Sequence, residues 1–254
     1  MPLNVERVRM LAPGREILWR ASVDSTMHEA ARLSEAGCAS GLVVGADEQT
    51  AGHGRYQRVW HSERDAGLYF SIVLRLAGVD KASFPVATFA LGVAVAEAIQ
   101  STTGVACDLR WPNDVLVKDR KVCGILAQLY GSAVVAGIGV NVNQTAFPDE
   151  VAAIATSLRI ESGREQSRED LLAALLDEID RHCEILAAEG REAIFALFTR
   201  ASSYVVGRRV TVELGGREVT GVTAGLTAEG YLRLRADDGR EEIVIAGGVR
   251  PARS

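Results

Sequence analysis

The residues best suited to chemistry gather first in Arg110–Leu126, RWPNDVLVKDRKVCGIL. Val115–Val117 and Val122–Leu126 read as two short strands, with Asp119-Arg120 as the tight turn between them. Alternation then sets Lys121, Cys123 and Ile125 on one face and Val122, Gly124 and Leu126 on the other. A lysine opening a buried strand, beside an alternate-face glycine that leaves room for a ligand, is an unusual combination. The same spacing also fits an ordinary polar turn with a solvated lysine. Pro112 removes a backbone donor and holds Trp111 extended, so Asn113 and Asp114 sit at a rigid corner before the hairpin.

A second group is the loop Asp47–Trp60, DEQTAGHGRYQRVW. It opens like a dinucleotide fingerprint, but the third glycine is missing and no apolar helix follows, which excludes that reading. A glycine-flanked loop at a strand end can still aim backbone N–H groups and a guanidinium fork at phosphate. A mobile surface loop is the commoner meaning of such a run, and Arg55, Arg58 and Trp60 within a few residues weigh against it. Asp24-Ser25-Thr26 reads as a helix start, with Asp24 or Ser25 capping a helix through about Ala36 and Gly37 ending it. Ser132–Asn143, SAVVAGIGVNVN, is a small-residue strand in which Gly137 and Gly139 allow close approach of a neighbouring strand or of a ligand.

The positioning elements follow from periodicity. Glu16–Ser22, Leu42–Ala46, Gly67–Leu76 and Asp108–Trp111 read as strands, and Ser83–Ser101 as a buried helix with Phe84, Phe89 and Leu91 in the core. Ser167–Ala188 and Arg191–Ala201 read as scaffold helices, with Asp177, Glu178 and Asp180 on a solvated face. From Val205 the chain turns to closely spaced strands at Arg209–Leu214, Arg217–Leu226, Tyr231–Arg235 and Glu241–Ala246, a small barrel with a boundary near Ser203. A chain of 254 residues, 48% hydrophobic, holds one sizeable core and a small satellite domain. Its net charge of −5 argues against a dedicated nucleic-acid surface. Cys38, Cys107, Cys123 and Cys183 are scattered, as reduced thiols would be, and the four histidines show no zinc spacing. The charged N-terminus lacks the apolar run of a signal peptide, and the longest apolar stretch is too short to span a bilayer, so the expectation is a cytoplasmic protein.

WPND followed by DRKVCGIL resembles the WPND…RK-(L/V)-x-GIL signature of biotin protein ligases. Asp24–Met27 is similar to the family's D-S-T-N, with Met27 in place of Asn. The loop resembles G-R-G-R-x-G-R-x-W through Gln49, Gly52, Gly54, Arg55, Arg58 and Trp60, while His53 replaces an arginine and Gln57 a glycine. Gly137–Asn141 matches G-x-G-x-N, and Gly247–Ser254 matches the C-terminal G-G-x-x-x-x-R-S. The resemblance implies an α+β fold: a mixed central β-sheet flanked by helices, of the class II synthetase-like kind, over residues 1–203, and a small SH3-like β-barrel over residues 204–254. It implies Lys121, Arg55 and Asp114 as catalytic residues, with Asp114 orienting the incoming amine or accepting its proton. Biotin would be held by Ser25, Thr26, Met27, Gln49, His53, Gly54, Arg55 and Lys121, and nucleotide by Gly52, Arg58, Trp60, Asn113, Asn141 and Arg253. No residue is assigned to a metal. ATP, biotin and Mg²⁺ are the implied small molecules, and the biotin carboxyl carrier protein of acetyl-CoA carboxylase the implied partner. Neither nucleic acid nor membrane is expected, and the chain is expected as a monomer or homodimer. The rivals are a lipoate or octanoate ligase, a DNA-binding repressor (for which about 15 residues before the first strand are too few) and an inactive carrier-binding protein.

Overall fold

The structure is a computed structural model that describes residues 1–76, 79 and 85–252. Seven strands form the larger sheet in the order β1-β2-β3-β7-β6-β5-β4. They are β1 Ile17–Arg20, β2 Val43–Ala46, β3 Leu68–Leu74, β4 Asp108–Arg110, β5 Asp114–Val117, β6 Arg120–Tyr130 and β7 Ala133–Val140. The β1–β2 pair is parallel and the remaining pairs are antiparallel, so the sheet is mixed.

Alternation sorts the strand residues onto two faces. Leu68, Phe70, Ile72 and Leu74 of β3, with Val134, Ala136, Ile138 and Val140 of β7, join the main core. Helices α3 (Ala87–Thr103) and α6 (Arg168–Glu189) contribute Leu91, Val95, Leu172 and Leu175 to the same core. Phe89 and Leu91 are buried as expected, whereas Phe84 lies outside the described residues. On the opposite face Val73, Ala133 and Val135 meet Met27 and Ala30 of α2 (Thr26–Glu35). Along that face β7 shrinks from Ala133 and Val135 to Gly137 and Gly139, and the helix cover gives way to a cleft.

The hairpin departs from the simple alternation. Its turn is Lys118-Asp119, both at positive φ (50° and 63°), one residue before the expected Asp119-Arg120. Val115 pairs with Cys123 and Leu116 with Lys121, so Val122 is an extra residue on β6. This irregularity turns Lys121 onto the face of Gly124, not the face of Cys123. A Cβ at Gly124 would lie 2.8 Å from Lys121 Nζ. The lysine therefore stands over its glycine neighbour, in the cleft.

Three short helices were not anticipated from periodicity: α1 Val5–Leu11, α4 Asp149–Ala152 and α5 Leu158–Ser162. After α7 (Arg191–Arg200), strands β8 Val206–Leu214, β9 Arg217–Leu226, β10 Leu232–Ala236, β11 Glu241–Val244 and β12 Val249–Pro251 form an antiparallel sheet in the order β11-β10-β9-β8-β12. Gly215 and Gly216 supply the positive φ values of the β8–β9 turn. Side chains of the β4–β6 region fasten the two sheets together. Trp111 Nε1 donates to the Gly230 carbonyl at 3.0 Å, and Tyr204 Oη donates to Asp119 at 2.7 Å. Arg208 reaches both Asp119 oxygens at 2.9 Å.

Candidate active site

The cleft of about 440 Å³ is lined from three directions: the start of α2, the loop after β2, and strands β5–β7. Gly247–Arg250 of the smaller sheet closes one side. Five lining residues are Arg or Lys (Arg55, Arg58, Arg110, Lys121 and Arg250), against two acids, Asp114 and Glu213. In a chain of net charge −5 this is a local excess of positive charge, which favours anionic substrates.

Lys121 Nζ lies 2.6 Å from Asp114 Oδ1 and 5.5 Å from the centre of the Trp60 ring. Arg110 Nη2 meets the other Asp114 oxygen at 2.7 Å. Burial alone would raise the Asp114 carboxyl, yet the Lys121 and Arg110 charges hold it below the usual carboxylate range. Asp114 is therefore ionised and shared between two cations. An ammonium has three N–H donors, so Lys121 keeps donors for a ligand while Asp114 fixes its position.

Arg55 reaches in from the loop: Nη1 donates to Asn113 Oδ1 at 3.3 Å and Nη2 to Tyr56 Oη at 3.2 Å. Asn113 is itself fixed to β6, its Nδ2 donating to the Ile125 carbonyl at 2.8 Å. Tyr56 Oη also accepts from Gly247 N at 2.9 Å, so the loop tip touches the smaller sheet. Tyr56 and Gln57 both adopt left-handed backbone (φ 57° and 58°). Gln57 thus occupies, with a side chain, a conformation that glycine takes freely.

The floor is made by absent side chains. A Cβ at Gly139 would lie 2.5 Å from Trp60 Cε2, and one at Gly137 2.9 Å from Met27 Cγ and Sδ. The indole lies flush on the strand, with Nε1 buried and unpartnered among the described residues. At the other end Thr26 Oγ1 contacts Gln49 Oε1 at 3.1 Å and Ser71 Oγ at 2.9 Å. Ser25 occupies the N-cap position without a capping hydrogen bond from its side chain, unlike the expected cap. Asp24 instead accepts from Ser25 N at 2.6 Å.

Lys121, Arg55, Asp114, Ser25, Thr26, Met27, Gln49, His53, Gly54, Arg58, Trp60, Asn113 and Asn141 all line the cleft. Gly52 lies outside it, in an adjoining surface depression bordered by His28 and Ser62. Arg253 lies outside the described residues. Sequence reasoning missed Arg110, Tyr56 and Ser71. Ser71 had a signal, as the polar residue inside the apolar strand LYFSIVL, and Arg110 had one as the charge facing Asp114 across a three-residue turn.

Residues 19–144 match the biotin/lipoate A/B protein ligase family, and residues 205–249 match the biotin protein ligase C-terminal domain. The biotin–[acetyl-CoA-carboxylase] ligase of Mycobacterium tuberculosis is 34% identical over 223 residues, covering 86% of this chain and 82% of that protein. The bifunctional ligase/repressor BirA of Bacillus spizizenii is 32% identical over 244 residues, 92% of this chain and 73% of the relative. Among solved structures, the biotin protein ligase of Aquifex aeolicus in complex with biotin and ATP superposes with a TM-score of 0.81 at 30% identity, over 94% of this chain and 99% of that one. With both domain families matched in order and a biotin–[acetyl-CoA-carboxylase] ligase 34% identical over most of its length, the chain belongs to the biotin protein ligase family.

Proposed function

We propose that this enzyme activates biotin with ATP and passes the biotinyl group to a lysine of a biotin carboxyl carrier protein, that of acetyl-CoA carboxylase. The observation that carries this reading is the meeting of Lys121 and the Arg55–Trp60 loop in one cationic cleft over a glycine floor. In the first step the biotin carboxylate oxygen attacks the α-phosphorus of ATP and pyrophosphate leaves. In the second a carrier lysine amine attacks the acyl carbon of biotinyl-5′-AMP, AMP leaves, and the amine loses a proton.

An anion must approach a polyanion in the first step, so fixed positive charge is the main requirement. Lys121 and Arg55 serve the biotin carboxylate and Arg58 the phosphates, while Gly54 lets backbone amides come close. At 4 Å and an effective dielectric near 20, one such cation is worth about 4 kcal/mol, so its loss slows adenylation by orders of magnitude. Thr26, Gln49 and Ser25 face the head group of biotin, and Met27 covers its apolar part. Trp60, Asn113, Asn141 and Arg253 serve the nucleotide. Asp114 acts with Lys121 at the reacting centre. It takes a proton from the incoming amine only when one of its two cations lets go.

Mg²⁺ fits as a companion of ATP. The lining carboxylates are Asp114, whose oxygens are both committed, and Glu213. Such a set suits an ion held chiefly by phosphate oxygens and water, whose chemistry is to neutralise charge on the leaving pyrophosphate. The catalytic part spans residues 1–203 and the SH3-like part 204–254, in a cytoplasmic monomer or homodimer. No described helix is long and apolar enough to cross a membrane.

Incubation with Mg-ATP, labelled biotin and an isolated carrier domain tests the reading. Expected are biotin-dependent pyrophosphate release and label on the carrier lysine. Transfer of lipoate or octanoate in preference to biotin would replace this reading with its nearest rival. The variant Arg55→Gly is expected to fold normally and release the adenylate early. Retention as long as in wild type, followed by rapid filtration, removes the holding role from Arg55.

A further inference from the structure

A second cluster of titratable side chains lies between α3 and α6, and none of its members lines the cleft. At its centre is His182, with 1% of its side chain exposed. Its Nδ1 lies 2.9 Å from the Glu178 carbonyl oxygen. A carbonyl can only accept, so Nδ1 carries a proton and Nε2 is the ring nitrogen left to face a ligand. That buried nitrogen has no hydrogen-bond partner among the described residues.

Two carboxylates converge on the ring. Glu97 of α3 brings Oε2 to 3.6 Å from Nε2, and Glu178, one turn before His182 on α6, brings Oε2 to 3.7 Å from Nδ1. One ligand atom from each of the three residues lies within 4.8 Å of the others. An imidazolium–carboxylate hydrogen bond would draw Nε2 and Glu97 to about 2.8 Å, and the observed separation is too long for one. A tetrahedral ion with bonds of about 2.1 Å spaces its ligands about 3.4 Å apart, close to the 3.6 Å between Nε2 and Glu97 Oε2; Glu178 Oε2, 3.7 Å from the protonated Nδ1, turns toward Nε2 to complete the set. Arg181 bridges the two acids, with Nε 2.7 Å from Glu178 Oε2 and Nη2 on Glu97. A cation already occupies the carboxylate side, and it can swing out because its side chain is half exposed.

We propose that Glu97, Glu178 and His182 bind a divalent transition-metal ion of the Zn²⁺ class, which joins α3 to α6 and displaces Arg181. A neutral imidazole oriented by a backbone carbonyl, together with two carboxylates, is a donor set for such an ion. Mg²⁺ and Ca²⁺ prefer oxygen alone, so the ion that travels with ATP does not fill this site. Glu97 and Glu178 keep 42% and 25% of their side-chain surface exposed, which gives the ion a way in. The role is to brace the helices on the far side of the sheet, not to take part in ligation.

The test is titration of the chelator-treated full chain with Zn²⁺ alone by calorimetry, with Co²⁺ as a visible-spectrum probe of coordination. Wild type is expected to take one equivalent at this site. Glu97→Gln, a half-exposed change that leaves the core alone, and His182→Gln are each expected to weaken it at least about 100-fold. Outer-shell partners alone carry about 10–100-fold. Arg181→Ala removes the competing cation and is expected to tighten binding. Wild-type affinity in either of the first two variants, binding no tighter in Arg181→Ala, or no uptake by wild type overturns the proposal.

Discussion

Replacing Asp114 by Asn removes the charge that Lys121 and Arg110 share while keeping the shape of the side chain. The structure sets the size of the effect. The carboxylate is 2.6 Å from one cation and 2.7 Å from the other, and the three side chains expose between 17% and 29% of their surface. Breaking a fully buried pair by removing one partner costs about 3–5 kcal/mol. Partial solvent access returns some of this, so about 1–3 kcal/mol is expected near pH 7. For a chain of this size that lowers Tm by roughly 2–12 °C.

The pH dependence fixes the cause. A carboxylate held low in the folded state contributes stability that is complete above its unfolded pKa, about 3.9, and is lost as pH falls through the lower folded value. The difference between wild type and Asp114→Asn is therefore constant from pH 7 to about 5 and shrinks below about 4. Denaturant titrations of both proteins across that range measure it. A deficit that persists unchanged at low pH means that packing, not charge, was lost, and no deficit at pH 7 means that the triad is not held as described. Single-turnover assays on the same protein separate the chemical roles: slowing confined to carrier transfer supports proton acceptance by Asp114, and equal slowing of adenylation supports its hold on Lys121.

The glycine floor predicts unequal effects of two similar substitutions. Gly139→Ala drives a methyl group into the rigid Trp60 ring, whereas Gly137→Ala meets the flexible end of Met27. By isothermal titration the first is expected to weaken nucleotide or biotin binding at least about tenfold, near 1.4 kcal/mol, and the second less. Gln57→Gly relieves a left-handed residue and is expected to leave stability unchanged or raise it by up to about 1 kcal/mol in thermal unfolding. Loss of stability would mean that the Gln57 side chain earns its place by a contact. Asp119→Ala cuts the hydrogen bonds to Tyr204 and Arg208 and is expected to make the β8–β12 sheet exchange its amide hydrogens faster, with the larger sheet unaffected.

Much of the site was legible because its residues come in short local runs. Arg55, Arg58 and Trp60 share one loop, so residue type and spacing pointed to them before any strand was paired, whereas Ser25 and Thr26 read as a helix start and were marked for the site only by the resemblance to the family's D-S-T-N. The face occupied by Lys121 was not legible. Period-2 alternation is right for a regular strand, and one extra residue at Val122 reverses it. Ser71 acts through Thr26 of α2 and Arg110 through Asp114 of β5, and α1, α4 and α5 are too short for a helical period to emerge. Glu97 and His182 are the extreme case. No spacing rule joins them, because α3 and α6 meet only when both pack on the same face of the sheet.

The stretch that looked most like chemistry also turns out to be where the molecule is joined. Trp111 and Asp119 sit in the β4–β6 region beside Asn113, Asp114 and Lys121, yet they hold Gly230, Tyr204 and Arg208 of the following sheet. Tyr56 extends the same logic to the arginine loop through Gly247. A shift of the smaller sheet must therefore be felt at Lys121 through a few residues of backbone, and at Arg55 through one side chain. Coupling of this kind lets closure over an activated acid be set by how the two sheets dock, so residues remote from the reacting atoms can govern how long the adenylate stays dry.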